Sequence, residues 1–151
     1  MKLETNQPFS FALLVVLLCL LASCKQFSPN KNDVKLKEVE QLYSNLPIYQ
    51  GFRETWSGSV SKSMLASVGK HYKSDAGYQD VKDFYVTKLV PDGWQLTKDI
   101  PLKDWSEDHG GRELTFTKQQ YSVVIEYRGD KVTNPDWNYA INVGWQSTRR
   151  W

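Results

Sequence analysis

Alternation of apolar and polar positions dominates the second half of the chain. Polar residues such as Thr115, Glu126 and Asn142 occupy the positions between the apolar ones. The apolar residues share one parity within each of three segments: Leu114 and Phe116; Tyr121, Val123, Ile125 and Tyr127; Trp137, Tyr139, Ile141, Val143 and Trp145. A period of two is typical of strands with one buried face and one wet face. Weaker alternation predicts further strands over residues 63–73 and from Trp94 to Ile100.

Two segments repeat their apolar residues at helical spacing. Residues 78–90 place Val81, Phe84, Tyr85 and Leu89 on one arc, and Pro91-Asp92-Gly93 ends that helix. Residues 34–46 form a weaker pattern, with Asp33 as the expected N-cap and Pro47 closing the helix. For this second segment the alternative is an irregular arm lying on the domain.

The order of these elements predicts the fold class. Residues 56–61 are rich in Ser and Gly, which suits a loop or an edge strand. The remaining elements run helix, strand, helix and then four strands. We expect a two-layer α+β domain, with a mostly antiparallel sheet of about four to five strands and one or two helices packed on one face. The strand order cannot be deduced from the pattern.

A short apolar run near the start ends in Leu21-Ala22-Ser23-Cys24. These four residues resemble a bacterial lipobox. The resemblance implies cleavage between Ser23 and Cys24, a diacylglycerol thioether on Cys24 and acylation of the new N-terminus. The uncharged run from Phe9 to Ala22 is shorter than the roughly 20 residues that span a bilayer, so a transmembrane anchor is the less favoured alternative.

Cysteine usage fits the same interpretation. Cys19 would leave with the signal, so Cys24 would be the only thiol of the mature chain and no internal disulfide could form. We expect a signal peptide at 1–23, a lipidated cysteine and flexible tether at 24–33, one domain at 34–147 and a tail at 148–151. The expected location is the exported side of an envelope membrane, and Lys25 favours the outer membrane if the host is a diderm.

Charge and motifs limit the chemistry. The net charge is +2 with both signs spread along the chain, which is not the basic stripe that nucleic acid requires. Neither a nucleophile-elbow serine nor a phosphate-binding glycine loop occurs, and His71 falls among the polar positions of its strand. We therefore expect a non-catalytic protein without a cofactor, held on the membrane by lipid, whose domain binds an envelope protein or a glycan or has a structural role.

Three groups of residues are candidates for a site. Asp104, Glu107, Asp108 and His109 lie close together in a predicted loop and have metal-ligand chemistry, so a small metal-dependent hydrolase is one alternative, although no known loop spacing matches. Trp56, Trp105 and Trp151 fall off the predicted strand faces and are suited either to stack on sugars or a partner or to close the ends of the core. Arg128-Gly129-Asp130 spells an adhesion tripeptide, but Gly-Asp is ordinary turn chemistry.

A second resemblance covers the stronger helix and its exit. Val81, Phe84 and Tyr85, followed by Leu89 and Gly93-Trp94, are similar to a helix-to-strand step in small envelope lipoproteins of uncharacterised function. The resemblance implies no activity.

Overall fold

The computed structural model describes the backbone of residues 31–104, 107–133 and 135–146, with the side chains of 33–102, 108–133 and 135–146. These residues form α1 (Lys31–Ser44), β1 (Arg53–Lys62), β2 (Leu65–Lys73), α2 (Tyr78–Leu89), β3 (Gln95–Asp104), β4 (Glu107–Lys118), β5 (Tyr121–Tyr127) and β6 (Tyr139–Gln146). The α+β class is confirmed, and the expected four to five strands are corrected to six. The predicted signal peptide, Cys24, Trp105, Trp151 and the tail lie outside the described residues.

One antiparallel sheet has the strand order β1-β2-β6-β5-β4-β3. Strands β3 to β6 form a meander, and β6 then pairs with β2 as well as with β5. The last strand, β6, therefore lies inside the sheet, and β1 and β3 are the two edge strands of the sheet.

Both helices cover the same face of the sheet. Tyr72, Tyr139 and Tyr127 are register partners on β2, β6 and β5, and directly opposite residues share a face. The hydroxyl of Tyr43 on α1 lies 3.0 Å from that of Tyr72, and Tyr78 on α2 stacks on Tyr127 at 6.0 Å. The other face of the sheet, which we call the open face, therefore has no helix of the described chain against it.

The two helix predictions fared differently. The stronger helix is confirmed at Tyr78–Leu89. The weaker helix begins at Lys31, three residues before the expected start, so Asp33 lies in the first turn rather than at the N-cap. A carboxylate in the first turn interacts favourably with the exposed helix N–H groups, which accounts for its tolerance there. Within the described residues, neither helix is both long and apolar enough to cross a bilayer.

Asp99 ties α2 to the sheet. Its carboxylate pairs with Lys82 at 2.7 Å and with Arg112, and it accepts a hydrogen bond from the Tyr78 hydroxyl at 2.6 Å. Burial raises the pKa of the Asp99 carboxyl, but these three donors outweigh burial and hold the pKa well below its usual value. Because helix and strand share this one anion, the contact fixes the position of α2 on β3 and β4.

Candidate binding surface on the open face

One row of residues crosses all six strands on the open face. The register aligns Trp56, His71, Ala140, Glu126, Glu113 and Ile100 in that order from β1 to β3. We call this set the central row. Its two ends are exposed apolar side chains, with Trp56 at 52% and Ile100 at 44% exposure. Its middle carries an imidazole and two carboxylates, so the row combines apolar and hydrogen-bonding surface across about 24 Å of sheet.

Aromatic rings cluster at the β1 side of the row. The His71 ring lies 4.7 Å from Trp56 and 4.2 Å from Trp137, and it stacks on the latter. The Arg128 guanidinium lies 4.6 Å from the Trp137 ring centroid, which is a cation–π distance. Each ring restricts its neighbour, so Trp56 presents an ordered indole to the solvent.

Two glycines leave room for the Trp56 indole. A Cβ on Gly58 would lie 2.6 Å from two carbons of that ring, and a Cβ on Gly69 would lie 3.8 Å from a third. The same Cβ on Gly69 would lie 2.3 Å from the Asn142 side-chain oxygen. Larger residues would therefore push the indole and the amide out of their present positions.

Glu113 and Glu126 lie directly opposite each other on β4 and β5. Glu113 accepts a hydrogen bond from Thr115 at 2.8 Å and lies 3.6 Å from Lys98. In the described part of the chain, the Glu126 carboxylate has neither a hydrogen bond nor an ion pair. Burial, together with the Glu113 charge, raises the pKa of Glu126. Like charges at directly opposed positions destabilise a sheet, so this pair lowers the stability of the fold.

The His71 imidazole is a neutral group in this setting. Burial lowers its pKa, and the nearby Arg128 guanidinium lowers it further. A neutral imidazole has one N–H donor and one nitrogen acceptor, and it stacks on indoles without a charge to desolvate. The open face thus offers flat rings, one cation at the edge of the cluster and carboxylate acceptors in the middle.

The metal-binding alternative falls at the tip of the β3–β4 hairpin. Asp104 ends β3 and Glu107, Asp108 and His109 begin β4, so the loop prediction is wrong for these four residues, which lie in strands. Asp108 accepts a hydrogen bond from the Gly110 N–H at 2.9 Å. The side chains of Asp104 and Glu107 lie outside the described ones. In the part that is described, no three His, Cys, Asp or Glu side chains are grouped as metal ligands.

The adhesion-like tripeptide is packed into the same end of the domain. Gly129 is buried with φ +99°, and a Cβ there would lie 2.0 Å from the His109 carbonyl oxygen. Arg128 covers Trp137, and Asp130 accepts a hydrogen bond from the Tyr127 hydroxyl. These contacts give the three residues a structural role.

Trp56 is the one sequence-predicted aromatic candidate within the described residues, and it lies in edge strand β1 rather than off the strands. Trp105 and Trp151 stay predictions. The sequence pattern did not identify the residues that share the open face with Trp56: His71, Trp137, Arg128 and Glu126. Alternation alone indicates that residues 71 and 126 are on the wet side of their strands, but only the strand order places them in one row.

Comparison of the chain with protein-family models, with curated proteins and with solved structures finds no significant match.

Proposed function

We propose that this chain is an exported, lipid-anchored envelope protein whose domain binds another envelope component through the open face. The lipobox-like Leu21-Ala22-Ser23-Cys24 supports the anchor: residues 1–23 are the signal and Cys24 carries the lipid. Membrane attachment by several acyl chains is far more durable than by one. Lys25 after the cysteine favours the outer membrane of a diderm host.

The half-exposed Trp56 is the observation that carries the binding function. About half of an indole corresponds to on the order of 100 Å² of apolar surface, worth about 2.5 kcal/mol if it were buried. The same row keeps two opposed carboxylates, and within the described residues the Glu126 carboxylate has no hydrogen-bond or ion-pair partner. Features that lower stability and share one surface are expected where a protein binds something.

A glycan is the binding partner that Trp56 favours. A flat indole packs against the apolar face of a sugar ring, and the Asn142 amide and Glu126 carboxylate supply groups for its hydroxyls. A protein partner is the second candidate, because Trp and Arg are enriched among residues that dominate protein interfaces. The hydrolase alternative at Asp104–His109 is tested separately, since turnover lost on His109→Ala would establish it.

Two experiments test the proposal. Mass spectrometry of the mature N-terminus, comparing the full chain with Cys24→Ser, should find acyl mass on Cys24 and none on the variant. An unmodified Cys24 or a retained signal would refute the anchor.

For the binding function, the full chain and its variants are titrated with soluble peptidoglycan fragments and used to capture envelope proteins. Trp56→Ala should weaken whichever interaction is found by at least about tenfold. Gly58→Ala keeps the indole but displaces it, so it should also weaken binding. Ile48→Ala removes a 40% exposed apolar side chain away from the row and is the matched control. Equal binding by all three variants would exclude the open face.

A further inference from the structure

The start of α1 lies at one end of the domain, which we call the base, because the Lys35 ammonium lies 5.5 Å from the Trp145 ring near the end of β6. The base also contains the β1–β2 turn, the segment after α2, the β4–β5 turn and the end of β6. Leu65 pairs with Gln146, whose N–H donates to the Gln120 carbonyl at 3.1 Å. The Lys118 ammonium donates to the Asp92 carbonyl at 2.6 Å, which joins the α2 exit to the β4–β5 turn.

The chain between Cys24 and α1 is short. Because α1 begins at Lys31, seven residue steps separate it from Cys24, and fully extended chain covers at most about 25 Å in that number. The 12 residues of β4 run from the far hairpin tip to the base and span about 40 Å. A lipid on Cys24 therefore keeps the base within about 25 Å of the bilayer, and a domain that stands upright on its base holds the far tip about 40 Å further out.

Exposed apolar side chains concentrate at the base. Five large ones lie on base elements with 38 to 45% exposure: Val34, Val60, Leu65, Val90 and Leu96. They come from five different elements, so they are spread across the roughly 24 Å width of the sheet end. Of the eight large apolar side chains exposed in the described part of the chain, these five lie at one end, so this end presents more apolar surface than any other part of the domain.

Lysines are interleaved with these apolar residues. Three exposed lysines lie at the ends of β1, α2 and β4: Lys62, Lys88 and Lys118. The exposed carboxylates at the same end are those of Asp33 and Asp92. In the sequence, Arg149 and Arg150 follow shortly after the end of β6. Basic residues near an anionic membrane surface contribute about 1 kcal/mol each, and long lysine side chains reach headgroups while their stems lie along apolar surface.

We propose that the base is a membrane-contacting surface that rests on an anionic bilayer and holds the opposite end of the sheet, including residues 128–133, away from it. This inference rests on the lipid anchor proposed above. It also fixes the open face roughly perpendicular to the membrane, because the strands run from the base to the far end. Trp56 then faces sideways, where envelope components beside the bilayer reach it.

Site-directed spin labelling of the lipidated full chain tests this orientation. Ser63→Cys puts a label in the β1–β2 turn of the base, and Thr133→Cys puts one in the far loop. Both parent residues are exposed hydroxyl residues, and Val90→Cys is a second base position. A Cys24 that carries lipid has no free thiol to react with the label. The chain is reconstituted in phosphatidylcholine–phosphatidylglycerol vesicles, and each label is probed with oxygen and with a water-soluble nickel chelate.

The expected result is high oxygen and low nickel accessibility at 63 and 90, with the reverse at 133. An acylated chain whose three labels behave alike, or whose label at 133 is the more oxygen-accessible, overturns the inference and leaves the anchor intact. Absence of acyl mass on Cys24 overturns the anchor and the inference together.

Discussion

Replacing Glu126 by Gln should stabilise the domain near neutral pH. The ionised carboxylate faces Glu113 across the β4–β5 pair and is partly buried, with no hydrogen-bond or ion-pair partner among the residues that the structure describes. A like-charge cross-strand pair destabilises a sheet by about 0.2–1 kcal/mol, and partial burial adds to this. We expect Glu126→Gln to raise the free energy of unfolding by about 1 kcal/mol, or Tm by about 4 °C for a domain of this size.

The pH dependence follows from the raised pKa of Glu126. Its folded pKa lies above the ordinary value of 4.5, so the folded state binds this proton more tightly than the unfolded state. The associated stability is fully present below 4.5 and is lost as pH rises through the folded pKa. The gain from Glu126→Gln should therefore be largest near neutral pH and shrink towards 4.5.

Thermal unfolding followed by circular dichroism, with the variant and the unmodified chain compared at each pH, checks this prediction. Glu113→Gln is the matched control, because it removes the same like charge but also the ion pair with Lys98, while the Gln carbonyl oxygen can still accept from Thr115. The double variant reports the coupling between the two carboxylates. A Glu126→Gln chain that is no more stable at neutral pH, or whose gain does not change with pH, would refute the reasoning.

Three further predictions concern single contacts. Asp99→Asn should lower the free energy of unfolding by about 1–3 kcal/mol, because Lys82 loses its anion. Since the Asp99 pKa is depressed, this loss of stability should be full at neutral pH and fade as the pH falls below 3.8. Urea unfolding at several pH values checks this prediction. Gly69→Ala should displace the Asn142 amide and cost about 1 kcal/mol, and an unchanged Asn142 side-chain NMR signal would contradict this. Trp56→Ala should lower Tm only slightly, since it loses one ring contact of about 1 kcal/mol, and a collapse of the fold would show that Trp56 is structural.

Local patterns predicted the elements whose two sides differ in burial. The α2 segment was found within one residue, because its buried Val81, Tyr85 and Leu89 repeat at helical spacing. The β5 and β6 strands were found because each buries alternate residues on one face. In such elements the spacing of apolar residues in the sequence predicts which side chains are buried.

Elements with two wet sides were harder to predict. Strand β1 is an edge strand, and all its residues are exposed except the half-buried Gly58, so no alternation identifies it. Near the hairpin tip, Asp104 and residues 107–109 are strand through backbone pairing, although their polar composition was interpreted as a loop. Pairing with a neighbour, rather than side-chain burial, determines strand formation in both places.

The candidate site depends on long-range order and was predicted only in part. Trp56 stood out as a large aromatic residue in a Ser-rich segment. Its alignment with His71 and Glu126 requires β6 to enter between β2 and β5, which brings residues from distant parts of the chain side by side. No pattern within a short stretch of the sequence predicts that β6 inserts between β2 and β5.

Site-specific photo-crosslinking in the native envelope tests the central claim most directly. A photoreactive residue replaces Ile100, at the β3 end of the central row, or Ile48 on the helix side, which has a similar exposure of 40%. The account predicts one defined cross-linked envelope component from position 100, its loss in the Trp56→Ala background, and none from position 48. Equal cross-linking from both positions, or a product from position 100 that survives Trp56→Ala, would contradict the assignment of the open face as the binding surface.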